Sequence, residues 1–175
     1  QFSRGKCCVT ELALRAPLIV RWPGVAKPGA TVDTLASQVD VMPTLLDAAG
    51  VAPPPRQSGA SLRPLLSGAV PATWRTHVFA EWNASHALGA DNGLLYPSRA
   101  VRGQRYKLVH NLLTDRPNPA EDYYTQHTRI DVGCTQHEID AAPPHVRQTY
   151  ARWRNPPEFE LYDLDSDPCE WRNLA

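Results

Sequence analysis

The apolar residues of this chain fall into short runs of two different rhythms. Leu18-Ile19-Val20 is continuous and bounded by Pro17 and by Pro23-Gly24, the pattern of a strand buried on both faces of a mostly parallel sheet. Pro28-Gly29 marks a turn, and residues 32–39 are placed to carry the chain back across the sheet edge. The next segment has helical spacing. Met42, Leu45, Leu46 and Ala49 form one face, Asp40 is the expected N-cap, Pro43 fits the first turn and Gly50 ends the helix. Past a proline-rich exit at Pro53-Pro54-Pro55 the rhythm becomes that of strands. Residues 77–82, 99–102, 106–111 and 160–164 each read as one, with Gly103-Gln104 as a tight turn between the second and third. Residues 114–144 read as a long polar loop and residues 145–153 as a helix. The pattern predicts two blocks: residues 1–75, the last strand and helix of an α/β layer, and residues 76–175, a small antiparallel-sheet α+β subdomain.

Composition narrows the function classes. Lys plus Arg and Asp plus Glu number 18 each, so the net charge is zero, which argues against nucleic-acid or membrane-surface binding. No apolar run reaches the roughly 18 residues of a membrane-spanning helix. Seventeen prolines in 175 residues, about twice the usual share, predict a chain rich in turns. Cys7, Cys8, Cys134 and Cys169 lack the spacing of a zinc site. A Cys7–Cys8 bond would be strained. A Cys134–Cys169 disulfide is one option, and buried thiols are the favoured reading.

The candidate chemistry begins with Lys6, a cation just ahead of the first strand, where an ammonium can reach an anion at a sheet edge. By itself a lysine there is most simply a solvated surface residue. The absence of an initiator Met, with Lys6 so near the start, gives the expectation that the chain is the back part of a larger protein.

Gly5-Lys6, Glu11 and Leu14-Arg15-Ala16-Pro17-Leu18-Ile19-Val20-Arg21-Trp22-Pro23-Gly24 resemble the G-K-x-x-x-x-E-x-x-[IL]-R-x-P-x-[IL]-V-x-W-P-G stretch of type I sulfatases. The helix segment Val39 to Asp47, the segment Ser58 to Gly68, and Glu160-Leu161-Tyr162-Asp163-Leu164-Asp165-Ser166-Asp167-Pro168 with Asn173-Leu174-Ala175 resemble that family's following motifs, in order. Tyr96-Pro97-Ser98-Arg99-Ala100-Val101, Tyr106 to Leu112 and residues 117–124 resemble its heparan N-sulfatase branch and bacterial relatives. One departure lies beside Lys6: Thr10-Glu11-Leu12-Ala13 stands where the family has Tyr-[ED]-Gly-Gly.

The resemblance implies an alkaline-phosphatase-like α/β fold, here its C-terminal fragment, and hydrolysis of sulfate esters or sulfamates of sugars such as N-sulfoglucosamine. It implies a formylglycine nucleophile and a Ca²⁺, both with their residues upstream, so the fragment alone is expected to be inactive and to hold no metal ligands. Lys6 matches the lysine that contacts a sulfate oxygen, a position that is Arg in part of the heparan N-sulfatase branch. His86 and Arg99 match substrate-side positions, each with a plain structural alternative. A sulfated carbohydrate is the implied partner, a homodimer is left open, and the implied location is periplasmic, secreted or lysosomal. Asp91-Asn92-Gly93 copies the letters of the metal motif but falls far downstream of Lys6 and reads as a turn. Pro97-Ser98-Arg99 copies the tail of the formylglycine motif, with Leu95 where Cys or Ser must stand. Asn83-Ala84-Ser85 is a glycosylation sequon, meaningful only in a eukaryotic secretory protein. Two other classes fit the residues less well: a phosphodiesterase or phosphoryl transferase on the same scaffold, and a non-catalytic carbohydrate- or partner-binding module.

Overall fold

The computed structural model describes residues 8–84, 95–126 and 134–175. Two compact units emerge, one formed by Pro17–Val78 and the other by the residues up to Ala16 together with Phe79–Ala175.

Polar groups organise the Pro17–Val78 unit more than apolar ones do. A 3₁₀ turn at Gln38–Asp40 leads into helix α2 (Val41–Ala48), and helix α3 (Arg63–Ser67) follows a loop. Asp40 is fully buried. Its carboxylate accepts the backbone N–H groups of Ser37 (2.8 Å) and Ala60 (2.9 Å) and both arms of the Arg75 guanidinium (2.5 and 2.6 Å). Asp40 stands at the expected N-cap position of α2, but its carboxylate makes no cap hydrogen bond there, being taken by loop and guanidinium; Ser37 stands at the N-cap of the 3₁₀ turn. Thr44 extends the network: its hydroxyl donates to the Asp40 carbonyl (2.6 Å) and accepts the Leu62 N–H (2.9 Å). Asp47 takes the Ser61 hydroxyl (2.6 Å) and Arg63 Nη1 (3.0 Å), hydrogen bonds that hold its carboxyl below the ordinary range. Gly59 lies so close to the Val39 carbonyl that a Cβ would collide with backbone.

Two expectations fail in this unit. Leu18-Ile19-Val20 forms no strand, and Ile19 is 94% exposed. A strand needs a neighbour to take its N–H and C=O groups, and no strand is described in this unit before its last residue, Val78. Helix α2 buries Pro43 and Thr44, whereas Met42 and Leu45 of the expected inner face are exposed. What the interior of this unit offers α2 is a hydrogen-bonded loop, which a threonine hydroxyl satisfies and a leucine does not.

The other unit is built on a four-stranded sheet in sequence order, β1 (Val78–Ala84), β2 (Leu95–Arg102), β3 (Tyr106–Asn111) and β4 (Phe159–Asp163). β2–β3 and β3–β4 are antiparallel. The Gly103-Gln104 turn closes with Gly103 N–H donating to the Tyr106 carbonyl (2.8 Å). Alternation along β3 turns Lys107, Val109 and Asn111 inward and leaves Tyr106 and Leu108 outside. Val9, Ala100, Val109, Tyr162 and Leu164 form one apolar cluster, with Ala80 and Trp82 against it. A second cluster joins Ile139, Val146 and Tyr150 with Cys134, Trp153 and Trp171. Within the expected loop 114–144 the chain forms helices α4 (Pro119–Gln126) and α5 (Gln136–Asp140). Asn118 accepts the Ala120 N–H (3.0 Å) at the start of α4, and Thr135 with Glu138 makes a capping box on α5. Helix α6 (Pro144–Arg154) and a short helix α1 (Glu11–Leu14) complete the unit.

A chain of buried charges binds α1 to the sheet and to the C-terminal tail. Lys107 is fully buried, and its Nζ donates to Glu170 Oε1 (2.6 Å). Glu170 Oε2 accepts the Glu11 N–H (3.1 Å), and the Glu11 carboxylate meets Arg102 Nη2 (3.3 Å). Glu170 adopts a left-handed backbone (φ 59°), which aims its side chain at both donors at the cost of some strain. Burial raises the Glu170 carboxyl pKa, against the opposing pull of Lys107. At the end of β4, Asp163 pairs bidentately with Arg105 (2.9 and 2.7 Å). That pairing lowers its pKa from 3.8 to about 2.

These contacts set three expectations. Asp40→Ala should lower stability by about 3–5 kcal/mol by leaving Arg75 and two N–H groups unpartnered, read as a lower urea midpoint. Lys107→Met should cost a similar ~3–5 kcal/mol by stranding Glu170, and the Lys107→Met/Glu170→Gln pair should cost less than the two single changes added, in a double-mutant cycle. The Asp163–Arg105 pair stabilises the fold above pH 3.8 and is lost as pH falls through about 2. Arg105→Gln should accordingly move the Asp163 titration, followed by carboxyl NMR, up towards 3.8. An unmoved titration would sink that assignment.

Candidate functional site

Of the three residues singled out in the sequence, Lys6 and His86 lie outside the described residues, as do Asp91-Asn92-Gly93. Arg99 lies on β2, and its side chain is 41% exposed. Its guanidinium is held from several sides: Nε faces Glu81 Oε2 (3.3 Å), and Nη1 donates to Asn83 Oδ1 (2.8 Å) and the Ser98 carbonyl (3.0 Å). Glu81 and Asn83 come from β1, so the strand pairing fixes the orientation of this cation.

The register carries the same row across the sheet. Arg99 is opposite His110, and His110 is opposite Phe159. The His110 imidazole stacks on the Phe159 ring at 4.6 Å and 22°, and its Nε2 lies 3.7 Å from Glu158 Oε1. A fixed guanidinium beside a stacked imidazole and phenyl ring can meet an anionic group and the apolar face of a ring together. Phe159, the partner of His110, arrives from β4, so only the register reveals the row.

Ser98, the serine of the Pro97-Ser98-Arg99 decoy, points to the opposite face and donates to Asn111 Oδ1 (2.9 Å). There the sheet, α6 and the residues around Cys8 and Cys169 enclose a cavity of about 100 Å³. Trp82, Tyr162 and Trp171 supply apolar wall, and Asn111, Arg152 and Glu160 supply polar groups. These polar groups serve one another: Arg152 Nε meets Glu160 Oε2 (3.3 Å), Asn111 Nδ2 donates to Glu160 Oε1 (2.8 Å), and the Tyr162 hydroxyl donates to Glu160. Burial first, then the Glu160 charge, pushes the Tyr162 phenol pKa upward. The Asn111, Arg152, Glu160 and Tyr162 groups at this mostly apolar cavity are thus engaged with one another.

Among the described residues no group of three or more His, Cys, Asp or Glu is arranged to hold a metal ion. The Ca²⁺ that the resemblance implies has no donor set among the described residues. Among the described residues no helix is long and apolar enough to cross a membrane.

The N-sulphoglucosamine sulphohydrolase, C-terminal, family matches residues 4–126. An ulvan-active sulfatase of Formosa agariphila is 32% identical over 180 residues, covering 98% of this chain and 31% of the relative. The N-sulphoglucosamine sulphohydrolase of Homo sapiens is 32% identical over 178 residues, covering 88% of this chain and 33% of the relative. A solved structure of a protein in complex with its substrate D-glucosamine-2-N,6-O-disulfate superposes with a TM-score of 0.60 at 28% identity, over 95% of this chain and 25% of that one. The chain spans about a third or less of the length of the curated relatives it matches. The order of its motifs, its small antiparallel sheet and these likenesses agree: the chain has the alkaline-phosphatase-like fold and belongs to the N-sulphoglucosamine sulphohydrolase, C-terminal, family.

Proposed function

We propose that this chain supplies the sulfate-contacting lysine and part of the substrate-facing surface of an enzyme that hydrolyses sulfate esters or sulfamates of amino sugars, of the N-sulfoglucosamine kind. The observation that carries the reading is the family match over residues 4–126, which spans both Lys6 and Arg99. The substrate named for the superposed structure, a glucosamine sulfated on nitrogen and on oxygen, supports the amino-sugar class. No C/S-x-P-x-R motif occurs within the 175 residues, so the nucleophile is assigned to upstream sequence. On this reading residues 1–75 are the C-terminal end of the catalytic α/β domain and residues 76–175 its small subdomain. A secreted, periplasmic or lysosomal setting goes with it, where sulfated polysaccharides are met.

In this role the Lys6 ammonium donates to a sulfate oxygen and offsets the negative charge that grows as the S–O or S–N bond breaks. Such a contact acts electrostatically, is strongest where charge develops, and exchanges no proton with the substrate. Arg99 presents a guanidinium already oriented by Glu81 and Asn83, suited to a sulfate or carboxylate elsewhere on the sugar. His86 is assigned to the same substrate side.

In the full-length protein, Lys6→Ala should lower turnover of N-sulfoglucosamine on the order of 10- to 100-fold, the kinetic equivalent of one charge-assisted hydrogen bond. Lys6→Arg should restore much of it, since the requirement is a fixed cation. Arg99→Ala should raise KM more than it lowers kcat. Unchanged kinetics in Lys6→Ala would remove that residue from the site, and a preference for phosphate over sulfate monoesters would overturn the reaction class.

A further inference from the structure

Cys8 and Cys169 stand 161 positions apart in sequence, yet both line the cavity of about 100 Å³ beside the sheet. Both are thiols and both are half-buried. The Cys8 Sγ lies 3.2 Å from the Thr10 hydroxyl. A disulfide spans only about 4.4–6.8 Å between Cα atoms, so only thiols on adjacent backbone segments qualify. A hydrogen bond outside the cysteines also ties their two segments together. Three residues after Cys8, the Glu11 N–H donates to Glu170 Oε2 (3.1 Å), and Glu170 immediately follows Cys169. Glu170 is itself pinned to the sheet by the buried Lys107. The other described thiol, Cys134, is not in the wall of this cavity; it packs with Ile139, Val146 and Tyr150, and its hydrogen bond to the Tyr150 hydroxyl helps raise that phenol's pKa.

We propose that Cys8 and Cys169 are a disulfide-forming pair, which locks the segment following Lys6 to the C-terminal tail. The Cys134–Cys169 pairing considered from sequence is the competing one. The oxidant is a small-molecule disulfide of the glutathione kind. One protein thiolate attacks it and releases one small thiol. The second thiolate then attacks the mixed disulfide and releases the other. Two protein S–H bonds are lost, one protein S–S bond forms, and the oxidant's S–S bond is reduced to two thiols. Half-burial leaves both sulfurs within reach of such a reagent, and the neighbouring ion pair keeps the segments in place between the two steps.

The test is a peptide map of the full-length protein after incubation with oxidised glutathione, with remaining thiols alkylated under denaturing conditions and trypsin digestion without reduction. Cleavage yields Cys8 in residues 7–15, Cys169 in residues 155–172 and Cys134 in residues 130–147. The expected product joins 7–15 to 155–172, two hydrogens lighter than the sum, and disappears on reduction. It should persist in Cys7→Ser, which assigns the link to Cys8, and its formation should raise the thermal midpoint by on the order of 10 °C. Alkylated Cys8 and Cys169 after oxidation, a link from 130–147 to 155–172, or loss of the link in Cys7→Ser would each overturn the proposal.

Discussion

The buried pair of Lys107 and Glu170 is the constraint on which the sheet-bearing unit depends. A lysine with no exposed surface has lost its hydration and is tolerable only beside a carboxylate that it can hold tightly. Glu170 meets that need from the C-terminal tail, and its second oxygen takes the backbone of Glu11. One carboxylate thereby joins three parts of the chain: the centre of the sheet, the tail after β4 and the segment after Lys6. Had Lys107 been leucine, the tail would keep its ties through Arg152, Leu161 and Trp171 but would leave the Glu170 carboxylate buried with no cation to pair with.

The Pro17–Val78 unit solves a related problem with Asp40 in place of an ion-paired lysine. Its carboxylate and carbonyl collect loop N–H groups, a guanidinium and a threonine hydroxyl, so the loop between α2 and α3 is ordered by hydrogen bonds. The consequence is visible on α2, where Leu45 and Met42 are exposed while Pro43 and Thr44 are buried. Apolar residues left outside in this way, Ile19 among them, belong to a surface that the unit does not cover by itself.

Much of the sheet could be read from the sequence because its strands are short runs set between turn residues, with the Gly103-Gln104 turn between β2 and β3. What resisted reading had specific causes. Helix α5 announces itself through Thr135 and Glu138, a capping box that a polar, proline-containing stretch made easy to pass over. Leu18-Ile19-Val20 has strand composition, but composition cannot provide the neighbouring strand. Periodicity predicted the wrong buried face for α2, since it counts apolar side chains and is blind to Thr44 bonding to Asp40 and Leu62. For the candidate site, Lys6 and Arg99 stand out in the sequence only as motif letters, and Lys6 lies outside the described residues. The Arg99, His110 and Phe159 row is not legible in the sequence, because it is created by cross-strand register.

The hydrogen bond between Glu11 and Glu170 spans 159 positions, with the whole Pro17–Val78 unit lying between its ends in sequence. During synthesis at about 5–20 residues per second, Glu11 leaves the ribosome about 8 to 30 seconds before Glu170 is made. Through that interval Val9 and Glu11 have no tail to lie against, and Lys107 must wait for its counterion. The segment around Glu170 thus closes over the one around Glu11, and a ribosome that stops short of Glu170 leaves a sheet with a lysine at its centre and no charge to answer it.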